Sequence, residues 1–188
     1  MTTQTGRGPR GLPWRLIGWG AAALILLLPL VLGAPWTLFD YVVAGALLGG
    51  AGLVLELVVR ASGSLAYRAG AGLALAAAFL LIWVNGAVGF LGNEDNPANL
   101  MFAGVIATAV LGSVIAGFRA KGMAGAMFAA AAAQVLVGLI ALTQGWTSPG
   151  NAGLYEVVMG TSVFGAMWLL SGGLFRKAAE KPTDAAVT

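Results

Sequence analysis

The polar chemistry of this chain is concentrated in one short stretch, Asn93-Glu94-Asp95-Asn96-Pro97-Ala98-Asn99. Two adjacent carboxylates and several amides are hard oxygen donors, the kind of set that a divalent cation such as Ca2+ takes. With the acidic Asp40 or Glu156 joining from neighbouring segments, Glu94 and Asp95 could complete a metal site. The same residues have a structural reading. Asn96 is a natural helix N-cap, Pro97 suits the first helical position, and carboxylates favour the positive end of a helix. The stretch lacks the spacing, the glycine and the terminal glutamate of an EF-hand loop, so a helix start is the simpler expectation.

Among the polar side chains inside the apolar runs, Glu56, Asn85, Thr108 and Gln134 are the candidates for function. Polar groups at such positions mark a solute or ion path, or they bond a neighbouring helix. Glu56 precedes Arg60 by four residues, the favourable order for an ion pair on a helix, although a carboxylate on a glycine-lined face could also relay protons. Gln134 sits mid-run between Ala130 and Gly138, where a hydrogen bond to Thr108, Ser113 or Ser162 would satisfy it. Asn85 could line a path or satisfy a neighbouring helix end. Tyr67 and Arg68 are expected to anchor lipid headgroups.

Much chemistry is absent. The chain has no cysteine and no histidine, so thiolate or imidazole zinc sites, haem ligation by those residues and Cys or His nucleophile pairs are excluded. Its three lysines, Lys121, Lys177 and Lys181, all lie outside the apolar runs. No GxxxxGK[ST] phosphate loop occurs. No cofactor is expected.

The elements that must position these residues follow from composition. Of 188 residues, 59% are hydrophobic and 9% charged, and the mean hydropathy is +0.89. A soluble domain carries about 25% charged residues, and the apolar runs here are about 20 residues long, enough to cross a hydrocarbon core. The expected fold is all-α, an integral membrane bundle of six transmembrane helices: 14–33, 36–59, 69–91, 99–118, 123–143 and 155–175. Residues 1–13 are expected to be a disordered N-terminus, 14–175 the transmembrane domain and 176–188 a charged tail. The first run is read as a retained span and not a cleaved signal, because it is long and Pro35 follows its one small-residue cleavage candidate.

Charge placement supports six spans. Threading them puts Arg7, Arg10, Arg15, Arg60, Arg68, Arg119, Lys121, Arg176, Lys177 and Lys181 on one face, all ten basic residues. The other face receives Asp40, Glu94, Asp95 and Glu156. Five or seven spans would divide the basic residues. The positive-inside rule then makes both termini cytoplasmic, and it accounts for the basic pI of 9.7 without nucleic acid as a partner. Small residues recur at helical spacing, as in Gly45, Gly49 and Gly52, or Gly104, Thr108, Gly112 and Ala116, which predicts close helix packing.

The segment 79–101, FLLIWVNGAVGFLGNEDNPANLM, together with FRAKGMAGAM at 118–127, resembles a group of small multi-pass bacterial membrane proteins that share an E-D-N-P-A-N motif. No activity is assigned to that group. The resemblance implies a membrane location and a bacterial source, hence the inner membrane. Three functions stay open. The first is a structural or accessory component with no catalysis, held by the bilayer and a membrane-protein partner. The second is a small-solute or cation transporter or channel with an acidic outer mouth, of a size that suggests a homodimer. The third is a metal-dependent enzyme acting on membrane lipid.

Overall fold

In a computed structural model of the chain, residues 14–180 are described. The N-terminal stretch 1–13, expected to be disordered, lies outside them, as do Arg7, Arg10, Lys181 and the end of the tail. Six helices form: α1 Trp14–Val31, α2 Leu38–Ala61, α3 Leu65–Ala87, α4 Met101–Ile115, α5 Ala120–Gln144 and α6 Asn151–Ala179, with a 3-10 turn Pro97–Leu100 leading into α4. No strand occurs among the described residues. Among the described residues, five helices are long and apolar enough to cross a membrane: α2, α3, α4 with its leading turn, α5 and α6. α1 is shorter, at 18 residues, about 27 Å of helix at 1.5 Å per residue.

The chain divides into two compact units, one ending at Val54 and the other beginning at Leu55. In the first, α1 and the start of α2 form the expected antiparallel hairpin. The Trp19 indole lies over Gly52, 3.0 Å from where a Cβ would stand, and Leu26 reaches within 3.6 Å of the same point on Gly45. Two members of the small-residue stripe therefore face α1. The start of α2 is a capping box. The Thr37 hydroxyl and backbone N–H both donate to Asp40 Oδ2 (2.8 and 2.6 Å), and Asp40 N–H donates back to Thr37 Oγ1 at 3.4 Å. Trp36 before the cap meets Tyr41 after it edge-on, with ring centroids 5.2 Å apart. That pair is a hydrophobic staple.

In the second unit, α6 packs on both α3 and α5, and α4 packs on α5. The α4–α5 contact is close because its residues are small. Cβ atoms built on Gly112 and Gly122 would lie 2.7 and 2.5 Å from the Cβ atoms of Ala126 and Ala116. The fully buried core includes Leu81, Leu91, Val105, Trp168 and Phe175.

Element boundaries depart from expectation where polar groups intervene. α3 begins four residues early because the Ser64 hydroxyl caps it, accepting from Tyr67 N–H at 3.3 Å. This draws Tyr67 and Arg68 into the helix. Arg68 donates to the carbonyls of Ser62 and Val59 at 2.6 and 2.8 Å, closing the C-terminus of α2. Tyr67 Oη donates to Phe118 O at 2.7 Å. Both polar tips, expected to meet headgroups, instead satisfy backbone. α4 ends before Phe118 because Gly117 and Phe118 adopt left-handed φ of 54° and 57°. α6 runs four residues past Phe175, so the charged tail expected from Arg176 begins as helix, with Arg176 and Lys177 in the last turn. Cations are favourable at that end of the helix.

Candidate functional site

The polar stretch 93–99 folds as a loop tied by amides, not by carboxylates. Asn99 Oδ1 accepts from the backbone N–H groups of Leu91 and Phe90 at 2.8 and 3.0 Å. Its Nδ2 donates to Asn93 O at 2.7 Å. Asn96 Oδ1 accepts from Ala98 N–H at 3.0 Å, the N-cap expected of it, while its Nδ2 donates to Leu91 O at 3.0 Å and reaches Trp146 O at 3.4 Å. Asn93 Oδ1 accepts from Asp95 N–H at 3.1 Å. An amide suits this work because it both donates and accepts without bringing a charge. The Glu94 and Asp95 side chains are exposed. Among the described residues, no group of three or more Asp or Glu side chains stands close enough together to hold a metal ion.

The loop sends Phe90 and Leu91 inward. Gly89 turns the chain with φ 70°, and the Phe90 ring seats in the notch left by Gly160 of α6. There it packs against Phe102 and Phe164, with ring centroids 4.6 and 5.7 Å away. Beside it is a cleft of about 320 Å3 lined by Val84, Val88, Gly89, Phe90, Gly92 and Glu156. Of the four residues expected at the acidic face, Glu156 is the one on this cleft. Asp40 belongs to the capping box of α2.

The other candidates sit on separate elements. Thr108 is half-buried, and its hydroxyl donates to Gly104 O of its own helix at 2.8 Å. Asn85 Nδ2 donates to Leu81 O at 2.7 Å, also one turn back, and its Oδ1 is buried without a hydrogen-bond partner. Glu56 pairs with Arg60 at 2.7 Å, its side chain 11% exposed against 62% for the arginine. That is the pair the spacing predicted, with the carboxylate half inside and the guanidinium reaching out.

Gln134 is fully buried, and neither amide atom has a hydrogen-bond partner. The expected neighbours are otherwise engaged or turned away. The Ser113 hydroxyl donates to Ala109 O at 2.7 Å, Thr108 bonds its own helix, and Ser162 is exposed. Two further buried polar atoms without partners lie on α6, Thr161 Oγ1 and Trp168 Nε1. Sequence reasoning passed over both. A tryptophan in an apolar run reads as packing, and only the burial of its N–H shows otherwise. It also missed the knot at Asn99, whose partners are backbone groups eight and nine residues away. Comparison with known protein families, with curated proteins and with solved structures gives no match.

Proposed function

We propose that this chain is a multi-pass protein of the bacterial inner membrane, crossing it six times with both termini cytoplasmic, and that it serves there as a structural or accessory component without catalysis of its own. The exposed faces of its helices support a membrane setting. Leu38, Leu65 and Ile115 are 80%, 79% and 86% exposed. Apolar surface so extensive suits lipid as solvent and not water. α1 supplies the sixth span, its 18 residues falling within the range of roughly 17–25 that crosses a bilayer. With six spans, Arg15, Arg60, Arg68, Arg119, Lys121, Arg176 and Lys177 share the cytoplasmic face, as the positive-inside rule requires.

One observation carries the non-catalytic reading: the polar side chains within the helices are mostly satisfied locally. Asp40 serves a cap, Thr108, Ser113 and Asn85 bond the turn before them, and Glu56 holds Arg60. A path or an active site needs such groups to converge. The transport reading keeps the support of Gln134 and of the Glu156 cleft. No arrangement of Glu94 and Asp95 favours the lipid enzyme.

Native mass spectrometry of the protein extracted gently from its own membranes tests this. We expect a fixed-stoichiometry complex with another membrane polypeptide. A homo-oligomer that also drives solute flux into proteoliposomes overturns the reading in favour of transport. The absence of cysteine makes topology equally testable. Single cysteines at Asp95 and Ser148 should react with an impermeant maleimide from outside, and cysteines at Gly63 and Lys121 only after permeabilisation.

A further inference from the structure

Of the side chains with buried polar atoms left without partners among the described residues, Asn85 lies on α3, and the other three, Gln134, Thr161 and Trp168, lie on one helix pair, α5 and α6. Two contacts set the register of α5 against α6. A Cβ on Gly138 would stand 2.5 Å from Thr161 Oγ1, and a Cβ on Gly172 would stand 2.6 Å from the Phe128 ring. The helices are therefore antiparallel. One turn along α5 from Gly138 is Gln134, and one turn along α6 from Thr161 is Gly165, so these two residues face each other. Trp168 follows one turn later on the same face of α6. Long helical side chains lean toward the helix N-terminus, which brings the indole back toward the level of Gly165.

Gly165 is buried, yet a Cβ built on it meets no other atom within 4 Å. The seam thus contains open space beside the one residue that faces the orphaned amide. Polar walls and room for at least one solvent molecule are the two conditions for a buried water. The bonding capacities also match. Gln134 Nε2 and Trp168 Nε1 need acceptors, Gln134 Oε1 needs a donor, and Thr161 Oγ1 takes either. A water molecule offers two donors and two acceptors.

We propose that the α5–α6 seam is a binding site for one or two ordered waters, held between Gln134, Thr161 and Trp168 in the space beside Gly165. The site takes a small neutral guest that both donates and accepts hydrogen bonds. It requires only the packing of α5 on α6, so it stands apart from the accessory and transport readings above. Gly165 is the residue that makes the room, and Gln134 is the residue that fixes the guest.

The test is water-edited solid-state NMR on full-length protein, 15N-labelled at tryptophan and reconstituted in deuterated lipid. The Trp168 indole signal is assigned by its loss in Trp168→Phe. We expect magnetisation to pass from water to this indole N–H although Trp168 is fully buried. Gly165→Val fills the space and should abolish the transfer. Gly165→Ala, which meets no atom, keeps the fold and should reduce it at least twofold. Gln134→Leu should weaken it by a similar factor. No transfer in the wild-type protein overturns the proposal, including the case in which Gln134 turns to bond Trp168 or Thr161 directly. Transfer that survives unchanged in folded Gly165→Val also overturns it, because the water would then lie elsewhere.

Discussion

Replacing Asn99 by alanine should be among the most costly single changes in the loop between α3 and α4. The side chain makes three hydrogen bonds, accepting from Leu91 N–H at 2.8 Å and Phe90 N–H at 3.0 Å and donating to Asn93 O at 2.7 Å. Leu91 is fully buried and Phe90 is 8% exposed, so water cannot easily replace the lost acceptor. A buried donor left unsatisfied costs about 1–3 kcal/mol, and a bond that water can replace about 1 kcal/mol. Two of the first kind and one of the second sum to roughly 4 kcal/mol for Asn99→Ala. Asn99→Asp keeps the acceptor but points a carboxylate at Asn93 O, and should cost about half as much, ~2 kcal/mol. Glu94→Ala and Asp95→Ala, both exposed, should stay within about 0.5 kcal/mol of wild type. Reversible unfolding in mixed micelles, followed by tryptophan emission, measures all four. The reasoning is refuted if Asn99→Ala is silent while an acidic-pair variant costs more than about 2 kcal/mol, since the carboxylates would then organise the loop.

Three further outcomes follow from local geometry. Thr37→Ala removes the capping box of α2 and should cost about 1 kcal/mol, with amide exchange rising in the first turn of α2 while Thr37→Ser restores protection. Gly112→Ala drives a methyl into Ala126, 2.7 Å from its Cβ, and should cost about 1–3 kcal/mol; adding Ala126→Gly should recover most of that loss, and Gly49→Ala, with no atom within 4 Å, should be neutral or stabilising in the same unfolding assay. Phe118→Gly relieves a left-handed residue at φ 57° and should raise stability by about 1 kcal/mol, whereas Tyr67→Phe, which loses the bond to Phe118 O, should lower it by a similar amount, about 1 kcal/mol.

Much of this architecture is legible along the chain. Runs of about 20 apolar residues separated by glycine, proline and charge locate all six helices to within a few residues. The Glu56–Arg60 pair and the Asn96 cap are readable because both are local, governed by spacings of two to four residues on a helix. The Thr37–Asp40 box is equally local, a hydroxyl followed three residues later by a carboxylate. In the loop before α4 the charged pair Glu94 and Asp95 is exposed. Their neutral neighbours Asn93, Asn96 and Asn99 hold it instead.

Sequence by itself settled the class: an all-helical chain, apolar over most of its length, without the side chains for thiolate or imidazole chemistry. Those properties are sums over composition and short-range periodicity, so no partner needs to be known. Tertiary structure alone decided what each polar group meets. Asn99 reaches back across the end of α3, Arg68 closes a different helix from its own, and Phe90 fills a notch that Gly160 leaves on α6. Gln134 on α5 and Thr161 and Trp168 on α6 come to be buried with polar atoms that meet no protein partner. Such contacts depend on ångström distances between residues that no fixed helical spacing relates, and in a chain this rich in alanine, glycine and leucine many helix pairings look alike until one register is adopted.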